Sequence, residues 1–296
     1  MIGWLFIRDL WPLLRPGEPP PFTIDLVDEA GGGVTFWKVS KNDTSAKNDK
    51  DNKNKRNEEF YTATTSVSLR EERDTYELHC HIKPLPPTHG GLPPMSRTVT
   101  STYEVTRDGE LRKLDTSMVI RVEGREFATI GIKGSVDEGR FQARLSMRLA
   151  DADSPKVSGH LFEPVDFPER GCVMNPLHPL NRLPGLREGQ RWLMPLLTTP
   201  VALDLLADKL ERSEDDQLWK LAETFLRLST VSFLEAEVQR GTQSLDWKKQ
   251  EVSCLLVECH GEEASGRIWV RKGDGLVLQQ EVIIGTTRWL LERTGE

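Results

Sequence analysis

The feature that most constrains the fold of this chain is the strict alternation of apolar and polar side chains along several segments. A period of two is typical of β-strands that have one face on a core and the other in water. The alternation is strongest at about 97–106, 110–122, 125–134 and 140–149, and turns containing glycine separate these segments. The pattern therefore predicts an antiparallel meander. The clearest apolar set belongs to its last strand: Phe141, Ala143, Leu145, Met147 and Leu149.

The alternation continues on both sides of this meander. Upstream, residues 61–69 and 76–82 predict two further strands, and 22–27 with 34–39 predict a first hairpin. Five closing strands are predicted at 231–238, 251–260, 267–272, 276–284 and 287–293. Trp269 and Trp289 are expected to pair across the closing strands, and Leu276, Leu278 and Val282 to share one face. The predicted fold class is mostly β, an antiparallel meander that forms a curved open or half-closed barrel.

The segment from Asn175 to Trp192 interrupts this regularity with three prolines and two glycines, yet it is rich in leucine. We interpret it as an ordered connection packed on the core, with Trp192 helping to plug the sheet. His178, Asn181 and Arg182 are its densest polar set. They form either a functional site or a set of partners for the backbone of an irregular segment, and the second interpretation is favoured because a buried loop must satisfy its own amides.

Three other stretches depart from the β pattern. A helical spacing of leucines predicts a helical hairpin insertion at about 200–228. Residues 41–59 are polar and mixed in charge, which predicts a disordered loop. Residues 1–21 form an apolar, proline-rich tail, too short in its apolar run to span a bilayer. The chain is thus predicted to be one β-rich domain, 22–296, preceded by this tail.

Composition excludes several function classes. A net charge of -7 argues against a general nucleic-acid-binding protein, which needs a basic face. Nucleotide-binding, hydrolase and structural-metal motifs are absent from the sequence, so no catalytic residue, cofactor or metal is predicted.

His79 and His81 are expected on the solvent-facing side of their strand. The four cysteines are predicted to be buried thiols, with Cys254 and Cys259 on opposite faces of one strand.

Two motifs carry a resemblance to a known family. Asn175-Pro176-Leu177 followed by Gly189-Gln190-Arg191-Trp192 looks like that family's Asp-Pro-Leu and Pro-Gly-Asp segments, and Ile268-Trp269-Val270 with 274–278 looks like its closing tryptophan strand and hairpin. The chain resembles the uncharacterised bacterial family catalogued as domain of unknown function 3108, whose members are exported β-rich proteins. It departs from that family in having Asn175 in place of aspartate. The resemblance implies a curved antiparallel sheet and an envelope or periplasmic location, and it transfers no catalytic residue.

Three functions fit these observations. The favoured hypothesis is a non-enzymatic envelope protein that binds an apolar ligand or an envelope protein in the concave face of the sheet. The alternatives are a hydrolase-type enzyme with a polar site near His178, Asn181 and Arg182, and a purely structural interaction module. The predicted binding residues are these three together with Trp192, Trp269 and Trp289. The N-terminal tail is interpreted as packing on the domain or lying at an interface, and the alternative is membrane association through the tail or through an anchor upstream of Met1. The alternative to an envelope location is a cytoplasmic protein, since no signal peptide is visible.

Overall fold

The chain forms one antiparallel sheet. In the computed structural model, the residues described are 19–20, 33–43, 59–85, 95–106, 110–150, 157–160, 163–167, 173–174, 178–197, 231–262 and 264–295. Within them the sheet contains 16 strands. The strands are β1 Thr35–Asp43, β2 Glu59–Arg70, β3 Thr75–Pro84, β4 Met95–Thr106, β5 Leu111–Val122, β6 Arg125–Asp137, β7 Arg140–Leu149, β8 Val157–His160, β9 Val165–Asp166, β10 Arg191–Leu197, β11 Val231–Val238, β12 Gln243–Trp247, β13 Gln250–His260, β14 Ala264–Arg271, β15 Val277–Ile284 and β16 Thr287–Gly295.

The strand order joins two meanders side by side. It runs β10-β11-β13-β14-β15-β16-β1-β2-β3-β4-β5-β6-β7-β8, with β12 beside β13 and β9 beside β7. The pairing of β1 with β16 links the first meander to the closing one. The end strands β10 and β8 do not pair with each other, so the sheet is open in the part of the chain described.

The first meander confirms the sequence prediction closely. The four strands predicted between 97 and 149 are β4 to β7, and Phe141, Ala143, Leu145 and Met147 are all buried on one face of β7. Glu123-Gly124 and Glu138-Gly139 form turns in which both residues have positive φ, 51° and 80° in the first and 49° and 75° in the second. This is the geometry of a tight hairpin turn, and glycine adopts it without strain.

The closing meander differs from the prediction in three details. Strands β10 and β12 were not predicted, because β10 follows directly on the irregular segment and β12 is short and largely exposed. In β15 the predicted single face is wrong: Leu276 and Leu278 pack in a small cluster apart from the main core, which contains Val282. The pairing register shifts between Trp269 and Val270, where β15 contains one extra residue. Side chains before this bulge therefore point to the opposite face from the one that simple alternation predicts.

The remaining predictions fall partly outside the described residues. The predicted partner of 34–39, residues 22–27, lies outside them, and β1 pairs with β16 on one side and β2 on the other. Strand β1 runs to Asp43 and β2 begins at Glu59, so the predicted loop is shorter than 41–59 at both ends; the rest of it lies outside. The residues of the predicted helical hairpin, at about 200–228, and most of the predicted N-terminal tail also lie outside the described residues. Among the described residues the one helical element is a 3₁₀ turn, Glu71–Arg73, and none of their helices is long and apolar enough to cross a membrane.

The two faces of the sheet are chemically distinct. One buried cluster covers the inner face. Its members include Trp37 and Leu291 on the neighbouring strands β1 and β16 at the middle of the sheet, and Met147 on β7 and Trp192 on β10 toward its two edges. Cys80 and Cys259 lie in buried inner-face positions, whereas Cys254 belongs to the small cluster on the outer face. Cys254 and Cys259 therefore face opposite sides, as predicted, and the described cysteines are buried thiols.

Candidate functional site on the inner face

Residues 178–190, here called the crossing segment, are fastened to the sheet by backbone hydrogen bonds. The amide of Leu183 donates to the carbonyl of Gly275 (2.8 Å), and the amide of Val277 donates to the carbonyl of Asn181 (3.0 Å). Gly275 has φ +72°, and a Cβ on it would meet the carbonyl oxygen of Leu183 at 2.8 Å. Only glycine therefore permits this close approach, which fixes the segment against the turn between β14 and β15.

A chain of hydrogen bonds surrounds Asn181. The indole Nε1 of Trp37 donates to Thr65 Oγ1 (3.1 Å), and Thr65 Oγ1 donates to Asn181 Oδ1 (2.8 Å). The guanidinium of Arg293, only 4% exposed, donates to the carbonyl oxygens of Val277 (3.0 Å) and Asn181 (3.1 Å). It also lies 5.0 Å from the ring of Trp37, a cation–π contact. Asn181 thus joins β2 to the closing strands through bonded polar groups.

His178 is the first residue of the crossing segment, three residues before Asn181, and is 5% exposed. Its Nδ1 is 3.0 Å from Ser101 Oγ on β4, and its ring lies 4.5 Å from the ring of Tyr103. Burial lowers the pKa of His178 to about 3, because the charged imidazolium loses its hydration. The side chain is therefore neutral at physiological pH.

The crossing segment also shows that the sheet is curved. His178 contacts Ser101 on β4, while the amide of Leu180 donates to Gln280 Oε1 on β15 (3.1 Å). These strands are five positions apart in the sheet, which is roughly 24 Å in a flat sheet. Residues 178–180 extend about 7 Å, and side chains stand nearly perpendicular to a sheet. The sheet must bend around the segment to make both contacts.

Some polar atoms on the inner face have no hydrogen-bond partner although they are buried. They are Thr116 Oγ1 on β5, Trp192 Nε1 on β10 and Trp289 Nε1 on β16. Thr116 stands directly opposite Ser101 in the β4–β5 ladder, so it lies beside the contact between Ser101 and His178. Buried polar groups are normally bonded to protein or to ordered water, so each of these atoms calls for a partner.

The structure brings together some of the sequence-predicted binding residues and separates others. His178 and Asn181 both lie across the inner face, and Arg182 forms a bridge with Leu276. Trp192 and Trp289 belong to the main core, 3% and 2% exposed. A role for any of them in binding stays a prediction.

The predicted pairing of Trp269 with Trp289 is wrong. Strand β15 lies between the strands that carry them. Trp269 stands opposite Gln279 and packs against the small outer cluster, whereas Trp289 stands opposite Val282 in the main core. Their side chains therefore point to opposite faces of the sheet, since alternate residues of a strand face opposite ways.

The polar inner-face residues Thr65, Ser101 and Thr116 were not predicted as site residues. Their position was predictable, because alternation places them on the same face as the apolar residues of their strands. Their bonding was not predictable, since it depends on where the crossing segment lies.

His79 and His81 lie on the outer face, as predicted. His79 Nδ1 is 3.2 Å from Thr102 Oγ1, and His81 Nδ1 is 3.1 Å from Thr100 Oγ1. No group of three or more metal-ligating side chains occurs among the residues that the structure describes.

Comparisons with known proteins give no family. No family model matches the chain, and no curated protein matches it. Membership of the family with domain of unknown function 3108 therefore stays a prediction. A solved structure, a β-barrel-like protein of domain of unknown function DUF1849 from Brucella abortus, aligns with a TM-score of 0.41 and 8% sequence identity over 88% of this chain and 94% of that one.

Proposed function

We propose that this protein is a non-enzymatic binding protein that holds an apolar ligand with a hydrogen-bonding polar group on the inner face of its sheet. The observation that carries the proposal is the set of buried, unpartnered polar atoms of Thr116, Trp192 and Trp289. An indole N–H can only donate, and a threonine hydroxyl can donate, so the atoms favour a ligand that offers acceptor oxygens.

The surroundings of these atoms support an apolar body for the ligand. The inner face of β5 presents Leu114 and Met118 on either side of Thr116, and Ile132 lies across the ladder. An aliphatic chain in such surroundings would gain about 0.8 kcal/mol for each buried methylene group.

The location we propose is the bacterial cell envelope, where a ligand of this kind would be membrane-derived. It is supported by the sequence resemblance alone. Fractionation of the native host into cytoplasmic, periplasmic and membrane material tests it, and recovery of the protein only with cytoplasmic markers would overturn it.

A hydrolase is the second candidate, because Ser101 Oγ lies 3.0 Å from His178 Nδ1 in the manner of a nucleophile and its base. Two features disfavour it. A base needs a pKa near the working pH, whereas burial lowers the pKa of His178 to about 3. Among the described residues the ring of His178 bonds to Ser101, and none of their carboxylates orients it. Ester hydrolysis by the wild type that is lost in Ser101→Ala would favour the enzyme.

The binding proposal can be tested by displacement of a fluorescent apolar dye, phenylnaphthylamine, with methyl laurate. We expect the wild type to bind the dye and to release it to the ester. Thr116→Val should lower the affinity for methyl laurate about fivefold, which corresponds to the loss of one hydrogen bond. It should leave the affinity for the dye unchanged.

Thr62→Val is the matched control, because Thr62 is exposed on the outer face of β2. It should leave both affinities unchanged. Absence of dye binding by the wild type, or equal ester affinity in Thr116→Val and the wild type, would contradict the proposal.

A further inference from the structure

A groove of about 410 Å³ opens on the outer face of the first meander. It is formed where the ends of five neighbouring strands, β3 to β7, come together. Three basic side chains line it, those of Arg73, Arg112 and Lys113, together with the acidic side chains of Glu104 and Asp137. A basic majority is notable in a chain whose net charge is -7.

Two of the basic side chains, those of Arg73 and Lys113, are exposed and only loosely paired. The side chains of Arg73 and Lys113 are 61% and 59% exposed, whereas that of Glu104 is 13% exposed. Glu104 is shared between them, at 3.5 Å from Arg73 and 3.4 Å from Lys113. Strong charge-assisted hydrogen bonds measure about 2.7–2.9 Å. A single carboxylate at these distances leaves much of the donor capacity of both cations for another anion.

A second and independent feature is the hydroxyl of Thr75, which also belongs to the lining. Thr75 is 7% exposed, and its Oγ1 is buried without a hydrogen-bond partner. Burying a hydroxyl without a partner costs about 1–3 kcal/mol. A turn of this side chain toward the groove would bring a neutral donor beside the three cations and would relieve that cost.

We propose that this groove binds a small molecule that carries a phosphate- or sulfate-type oxyanion. Arg73 and Lys113 would turn from Glu104 to the oxyanion, and Arg112, 2.8 Å from Glu110, would add its remaining guanidinium donors. The groove is open to solvent, and its volume of about 410 Å³ is large enough for a small molecule with one oxyanion. The site is on the opposite face from the inner-face ligand and does not depend on it.

The test is isothermal titration of the full chain with inorganic phosphate, inorganic sulfate, glycerol phosphate and neutral glycerol at low ionic strength. Phosphate, sulfate or glycerol phosphate should bind and glycerol should not, and added chloride should weaken binding. The double variant Arg73→Gln/Lys113→Gln should lose at least tenfold in affinity. Thr75→Val should lose a smaller factor, about threefold to tenfold.

The matched control is Lys133→Gln, which removes an exposed lysine from the outer face, paired with Asp115. Its affinity should equal that of the wild type. Vesicles with and without phosphatidic acid distinguish the source of the oxyanion: stronger binding to the acidic vesicles than to glycerol phosphate assigns a lipid headgroup, and the reverse assigns a soluble molecule. Failure of the wild type to bind any of these oxyanions, or equal affinity in the double variant, would overturn the proposal.

Discussion

Two neighbouring positions of the crossing segment, His178 and Asn181, differ in how many hydrogen bonds surround them. At Asn181, the side-chain oxygen accepts from Thr65, which accepts from Trp37, and the backbone carbonyl accepts from Arg293. At His178, only three residues earlier, one contact with Ser101 stands next to a threonine hydroxyl that has no partner.

This difference indicates separate roles for the two positions. A buried network of hydrogen bonds holds one arrangement of the chain, because breaking any member leaves its partners unsatisfied. An incompletely bonded group gives up stability that a further partner, such as a ligand, can restore. We therefore expect changes near Asn181 to act on stability and changes near His178 to act mainly on pH dependence and binding.

The largest effect should come from Arg293→Met. The change keeps a long apolar side chain but removes the donors to the carbonyl oxygens of Val277 and Asn181. Each buried acceptor left alone costs about 1–3 kcal/mol, so the free energy of unfolding should fall by about 4 kcal/mol. Urea denaturation with fluorescence detection measures it.

Arg191→Met is the control for that change. Its side chain is 68% exposed and pairs with Glu237 at 2.8 Å, and an exposed pair of this kind contributes less than about 1 kcal/mol. Equal losses in the two variants would show that the bonds around Asn181 do not stabilise the fold.

His178 should produce the next largest effect, through pH. Its folded pKa is lowered from 6.5 to about 3 by burial, so between these values the unfolded chain binds the additional proton. The contribution of His178 to the free energy of unfolding is therefore fully present above about pH 6.5. It falls as the pH drops toward 3, by up to about 1.4 kcal/mol per pH unit. Over two units the loss approaches about 3 kcal/mol.

The measurement is urea denaturation of the wild type and His178→Gln at several pH values between 7 and 4. Other groups titrate in the same range, and the neutral glutamine variant contains all of them, so the difference between the two curves isolates the histidine. Parallel curves would mean that His178 is hydrated in the folded protein.

The fold was predictable where each strand follows one simple pattern, and less so where tertiary contacts decide. In β7, alternation alone placed Phe141 and Leu145 on the core. In β15 the register shift beside Trp269 moved Leu278 to the other face, and nothing in the apolar pattern marks such a shift.

The candidate site was predictable only in part, for a related reason. The leucines of the proline-rich segment predict an ordered connection packed on the core, and Leu180 and Leu183 are buried. The partners of His178 and Asn181 lie 77 and 116 residues away in the chain, on β4 and β2. Contacts over such separations depend on how far the sheet bends, and local sequence does not encode that.

The smallest expected change in stability, and the most informative comparison, comes from Thr116→Val. Valine has nearly the shape of threonine and lacks the hydroxyl, which is buried here without a partner. Removing such a group should leave the free energy of unfolding within about 0.5 kcal/mol of the wild type or raise it slightly. A loss above about 1 kcal/mol would mean that the hydroxyl is bonded within the fold, by ordered water for example, and that the surroundings of His178 are as structural as those of Asn181. An unchanged stability together with weakened methyl laurate binding would instead place the function of this face near His178, because the hydroxyl would then contribute to ligand binding and not to the stability of the folded chain.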